Sequence, residues 1–154
     1  MAGDYDHVPT PSAEEMEANI ALLRRWIKVG WNERNMSIID EVFHEDIISE
    51  GAVRARAEPL VGVKAVIEFQ EKMITAIPDI HIEILNMVSA ADIVIGEYLI
   101  TGTHLAPFGE GAPSPKDKVE MNVTEVARFR DGRIFHRRTV ISDARGVMAR
   151  FGVR

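Results

Sequence analysis

A chain of 154 residues with 46% hydrophobic and 27% charged content can bury a core of its own and is too apolar to be disordered. A net charge of −6 argues against nucleic acid as the main partner, because phosphate binding needs concentrated Lys and Arg. Cysteine is absent, which removes disulfides, thiolate metal sites and cysteine nucleophiles together and fits a reducing compartment. The opening residues MAGDYDHVPTPS have neither a charged n-region nor an apolar h-region, and no apolar run approaches the ~20 residues of a membrane span. A cytoplasmic protein with no membrane partner is expected.

Residues 1–11, with Pro9 and Pro11 and no periodicity, read as a mobile arm, and residues 12–154 as one domain. Ser12 with Glu15 makes a capping-box pattern. Behind it Met16, Ile20, Leu23 and Ile27 form one helical stripe, with Trp26 beside it. Gly30 weakens this helix near its end. Asn35 offers a cap for a second, short helix holding Ile38, Ile39, Val42 and Phe43. A third helix is expected from Gly62 to Ile77, with Val63, Ile67 and Ile74 on one face and Pro78 as terminator.

From Asp79 onward the period changes to two. Ile80, Ile82 and Ile84 alternate with polar neighbours, and residues 92–104 form a long β-rich run. Residues 105–118 are rich in Pro and Gly and read as a loop. Val119–Arg130 and Arg133–Ser142 are paired strands joined by Asp131-Gly132, a strong short-hairpin signal. A last short helix is expected over residues 144–150. Helices followed by antiparallel strands give an α+β architecture, with a curved sheet covered by three N-terminal helices. Gly96 and Gly102, inside one long strand, suggest a sharp bend or bulge there. A bent sheet roofed by helices is a cone, and its interior is the natural cavity.

The stretches GVKAVIEFQEKMITAIPDIHIEI, DIVIGEYLITGTH, RFRDGRI and DARGVMARFG occur in the order seen in SnoaL-like polyketide cyclases of the nuclear transport factor 2-like superfamily. The resemblance covers Ala21 to Gly152. It implies a cone-shaped fold, frequent homodimers, an acid/base aspartate in the pocket and no cofactor. The superfamily also holds isomerases, dehydratases, epoxide hydrolases and non-catalytic proteins, so fold alone does not assign function. The Arg-x-Asp pattern associated with its epoxide hydrolases is missing here.

Asp143 matches the family's terminal-strand aspartate and is the first candidate for general acid/base; capping the last helix is the competing role. His104 ends the GTH segment and, by alternation, shares a face with Val94, Gly96, Tyr98, Ile100 and Gly102. That makes His104 a second catalytic candidate and Tyr98 a pocket hydroxyl. Glu125 lies among Met121, Val123, Ala127 and Phe129 on one strand face; a buried Glu needs a partner, and Arg138 across the hairpin is the candidate. Only one of the adjacent Arg137 and Arg138 can point inward. Glu50 stands where family members often carry His, and is kept with Trp26 as a substrate-binding candidate. No residue cluster has metal-ligand spacing, and glycine-rich phosphate loops and dinucleotide fingerprints are absent.

The expected function is an aldol-type cyclase or isomerase that moves protons on a small carbonyl compound without cofactor or metal. The alternative is a non-catalytic small-molecule-binding protein of the same fold. A homodimer is expected, supported by apolar residues on both faces of the Val119–Arg130 strand.

Overall fold

The computed structural model describes residues 10–51, 58–106 and 116–142. The expected arm before residue 10, the middle of the 105–118 loop and everything from Asp143 onward, including the expected last helix, lie outside the described residues.

Helix α1 (Ala13–Arg25) starts at the expected capping box: Glu15 N donates to Ser12 Oγ at 3.2 Å and Ser12 N to Glu15 Oε2 at 2.7 Å. It continues into a seven-residue π-helix, Trp26–Asn32. Gly30 lies in the last turn of this helix, where carbonyls are left over, and its carbonyl accepts Gln70 Nε2 at 2.8 Å in the core. Gly30 also lets the Trp26 ring lie against the backbone, since a Cβ there would sit 2.5 Å from Trp26 Cζ3. Asn35 then caps a short 3₁₀ turn, Met36–Ile38, and helix α2 (Ile39–Val42) follows.

Helix α3 (Val63–Ala76) buries Val66, Gln70, Met73 and Ala76. The expected face of Val63, Ile67 and Ile74 is only partly buried. The buried stripe was hidden because a polar residue, Gln70, sits at its centre and is satisfied by Gly30.

Six strands form one curved, unclosed sheet: β1 (Phe43–Gly51), β2 (Leu60–Val61), β3 (His81–Ala90), β4 (Ile93–His104), β5 (Asp117–Arg130) and β6 (Arg133–Ile141), in the order β2-β1-β6-β5-β4-β3. Neighbours are antiparallel except β1 and β6, which run parallel. Strand β1 was not expected. Its charged His44-Glu45-Asp46 breaks the alternation, and its register with β6 shifts between Phe43 and Ile48. The β5–β6 turn has Asp131 at φ 52° and Gly132 at φ 72°, as a two-residue hairpin of this hand requires.

The β4–β5 register runs unbroken through Gly96 and Gly102, so neither marks a bulge. Both admit close neighbours instead: Gly102 receives Ile77, and Gly96 receives the Tyr98 ring. The helices cover the concave face, where Leu23, Trp26, Val42, Phe43, Ile47, Ile77, Val94 and Ile134 make the centre of the core. Asn32 fastens the helical layer to the β3 edge, exchanging two hydrogen bonds with the Ile82 backbone at 2.8 and 2.9 Å. No helix among the described residues is long and apolar enough to cross a membrane.

Candidate functional site

Alternation along β4 and β5 turns Val94, Tyr98 and His104, and Met121, Val123, Glu125, Ala127 and Phe129, toward the helices. Gly96 is opposite Glu125 in the register. With no side chain at 96, the Tyr98 ring folds back over that position and brings its hydroxyl beside Glu125.

The third member comes from β6, and it is Arg137. An unbroken two-residue hairpin that pairs Arg130 with Arg133 would carry Glu125 opposite Arg138. The register instead shifts after Phe129, so that Arg128 faces His136 and Glu125 faces Thr139. One extra residue on β6 exchanges the two faces of the strand. Arg137 is therefore 6% exposed and points inward. Arg138, expected as the partner of Glu125, is exposed on the convex face.

Arg137 is held from two sides. Its Nε donates to Ser49 Oγ on β1 at 2.9 Å, and the guanidinium lies 5.5 Å from the Phe43 ring centroid. Nη1 is 3.7 Å from Glu125 Oε1, an ion-pair distance too long for a hydrogen bond. Neither Tyr98 Oη nor Glu125 Oε1 has a hydrogen-bond partner among the described residues, although both are buried.

These groups line a cavity that is open to solvent at its mouth. Glu125, Tyr98, Arg137 and Thr139 are its polar residues; the rest of the wall is apolar, including Ile27 and Trp31 from the π-helix and Phe69 and Met73 from α3. Burial pushes the Glu125 carboxyl above its ordinary range, and the Arg137 charge and Tyr98 hydroxyl only partly offset this. Burial, and then the Glu125 charge, push the Tyr98 hydroxyl up, so it remains a donor. The arrangement combines a carboxyl that is easily neutral with two donors suited to a developing oxyanion.

The other expected residues lie elsewhere. Trp26 is wholly buried in the core, edge-on to Phe43 at 4.9 Å, and does not line the cavity. The tryptophan on the wall is Trp31, one i+4 step beyond Ile27 on the same stripe; a helix read as ending near Gly30 stops short of it. His104 is buried at the far end of β4, and it too is not on the cavity wall. Glu50 pairs with His136 Nε2 at 3.0 Å and is likewise off the wall. Asp143 lies outside the described residues. Among the described residues no group of three or more His, Asp or Glu side chains is placed to hold a metal ion.

Solved structures with the same fold include the protein assigned as a SnoaL-like polyketide cyclase from Jannaschia sp. CCS1, at TM-score 0.79 and 18% identity over 95% of this chain and 99% of that one. AclR, assigned as a hydroxylase from Streptomyces galilaeus, matches at TM-score 0.71 and 24% identity, covering 89% and 86%. IdmH, assigned as a polyketide cyclase from Streptomyces antibioticus, matches at TM-score 0.68 and 21% identity, covering 88% and 99%. No curated protein matches the sequence significantly. The sequence profile of the SnoaL-like polyketide cyclases matches residues 21–149, most of the chain, and the protein belongs to that family.

Proposed function

We propose that this protein catalyses proton transfer on a carbonyl-containing small molecule held in the cavity, as an aldol-type cyclase or isomerase. The observation that carries the reading is Glu125: a buried carboxyl in an apolar cavity, its affinity for a proton raised, with Tyr98 and Arg137 beside it. In its ionised form this carboxylate takes a proton from a carbon next to the carbonyl, becoming the neutral acid, and returns that proton at the end of the cycle. Tyr98 Oη and Arg137 Nη serve the enolate oxygen formed between those steps. Asp143 is the second carboxylate in this proposal, on the strength of the family resemblance.

Glu125→Gln keeps the shape and loses the proton carrier. Turnover of a carbonyl substrate is expected to fall by roughly 10²–10⁴-fold, while the fold survives. Asp143→Asn, measured beside it, decides whether that residue shares the role. Full turnover in both variants would overturn the acid/base reading. A non-catalytic binding protein would use the same apolar wall; its signature is ligand stabilisation without turnover, equal in wild type and Glu125→Gln.

The protein is also proposed to be a homodimer through its convex face. Val88, Ile95 and Val126 stand there in one cross-strand row, with Val88 52% and Ile95 38% exposed. Light scattering that gives a monomer at micromolar concentration would refute this.

A further inference from the structure

The cavity is chemically lopsided. Glu125, Arg137 and Thr139 come from adjacent register positions of β5 and β6, and the folded-back Tyr98 ring adds its hydroxyl to them. Away from this cluster the wall continues through Ile100, Met121, Val123 and Ile141 without a polar side chain. A ligand rich in oxygen along its length would leave most of its polar groups unmatched there. A ligand with one polar head and an apolar body fits.

The charge of that head follows from how Arg137 is held. Ser49 and the Phe43 ring fix the guanidinium by its Nε edge and its face. Among the described residues its Nη nitrogens make no hydrogen bond, so the fork that best matches a planar carboxylate is unspent. Tyr98 Oη, buried beside Glu125 and within hydrogen-bond distance of no group among the described residues, adds another donor. When Glu125 is neutral, the site carries the uncompensated positive charge of Arg137, a strong demand for an anion in a dry setting.

We propose that the cavity binds a small, largely hydrophobic carboxylic acid as its anion, the carboxylate meeting Arg137 Nη and Tyr98 Oη and the apolar body lying toward Trp31, Phe69 and Met73. This rests on the reading that the cavity is the working site, and it narrows the substrate class to carbonyl compounds whose carboxylate stands next to the carbonyl, so that carboxylate and enolate oxygen share the Arg137 fork and the Tyr98 hydroxyl. It does not depend on which carboxyl moves the proton.

The test uses two probe sets, built on 2-naphthylacetate and on cyclohexylacetate, each with its methyl ester and its methyl ketone, titrated into the full chain by calorimetry. The acid is expected to bind about 10-fold or more tightly than the ester and the ketone in at least one set, as a hydrogen-bonded charge requires. Arg137→Gln is expected to abolish that preference while leaving ester affinity within about twofold. The comparison in the wild type stands even if the variant does not fold. An ester or ketone that binds as tightly as the acid, or no saturable binding in either set, would overturn the proposal. Its failure is separable from failure of the acid/base reading, which is judged by turnover in Glu125→Gln and not by the acid-to-ester ratio.

Discussion

At the turn between β3 and β4, Arg128 reaches Asp92 Oδ2 with both Nε and Nη2 at 2.8 Å, and the Asp92 carbonyl accepts the Phe129 amide, also at 2.8 Å. In the cavity, Arg137 and Glu125 are buried more deeply but stand 3.7 Å apart, with donors to spare. Burying a charge costs several kcal/mol, roughly, unless hydrogen bonds replace the lost water. The first pair meets that cost internally and ties the β3–β4 turn to the register shift beside Phe129. Among the described residues the second leaves part of that cost unmet, and a ligand entering the cavity would meet the rest. Two pairs of the same chemistry thus separate into a clasp and a site by their distances and by which donors are unused.

The clasp is the easier to break. Asp92→Ala leaves Arg128 partly buried without its carboxylate, and a loss of about 2–3 kcal/mol is expected in urea denaturation. Ligand binding in the cavity should not change, because Asp92 is not on its wall. An Asp92→Ala protein of wild-type stability would show that the short contacts are not what holds the turn.

How much of this the sequence discloses depends on whether the signal is local. The alternation of Met121, Val123, Glu125, Ala127 and Phe129 places Glu125 inside, and the spacing of Val94 and Tyr98 places the hydroxyl on the same face; both hold in the structure. The choice between Arg137 and Arg138 was not legible. It turns on one extra residue in β6, and nothing in RFRDGRIFHRR announces the shift. Ser49 and Phe43 reach the site through a parallel pairing between β1 and β6, residues some 90 positions apart, which no periodicity encodes. Trp31 continues the stripe of Ile27 by one i+4 step, but Gly30 reads as the helix end and cuts the stripe short of it, while Trp26, beside the stripe, packs into the core instead.

Gly96 offers a smaller and more selective perturbation of the site. A Cβ at this position would overlap the Tyr98 hydroxyl and lie 2.5 Å from its Cζ. The ring cannot bend away, so it must swing off Glu125. Gly96→Ala is expected to cost about 1–3 kcal/mol as overpacking, and to weaken binding of a carboxylate probe several-fold, roughly the worth of one hydrogen bond. The clasp at Asp92 would be untouched. A Gly96→Ala protein with unchanged affinity and stability would mean that the folded-back ring is not needed to aim the hydroxyl.

The finest distinction between an open pair and a closed one is the sign of its pH dependence. Were Arg137 closed on Glu125, that carboxylate would have a lowered pKa and its contribution to stability would be lost as pH falls. Burial instead raises the Glu125 carboxyl above its ordinary value of 4.5, so the folded state holds this proton more tightly than the unfolded chain does. Its contribution is then fully present below 4.5 and is lost as pH rises toward the folded value. The groups facing Glu125 are the Tyr98 hydroxyl, which burial pushes up, and the Arg137 guanidinium. Glu125→Gln removes the titration while leaving every other group in place, and the difference between the two proteins isolates it. Denaturation midpoints from pH 4.5 to 8.5 should therefore converge on the acid side and separate with rising pH, the Gln variant becoming the relatively more stable. A difference of the opposite sign would mean that Arg137 closes on Glu125 in solution, and the open pair would then be a second clasp.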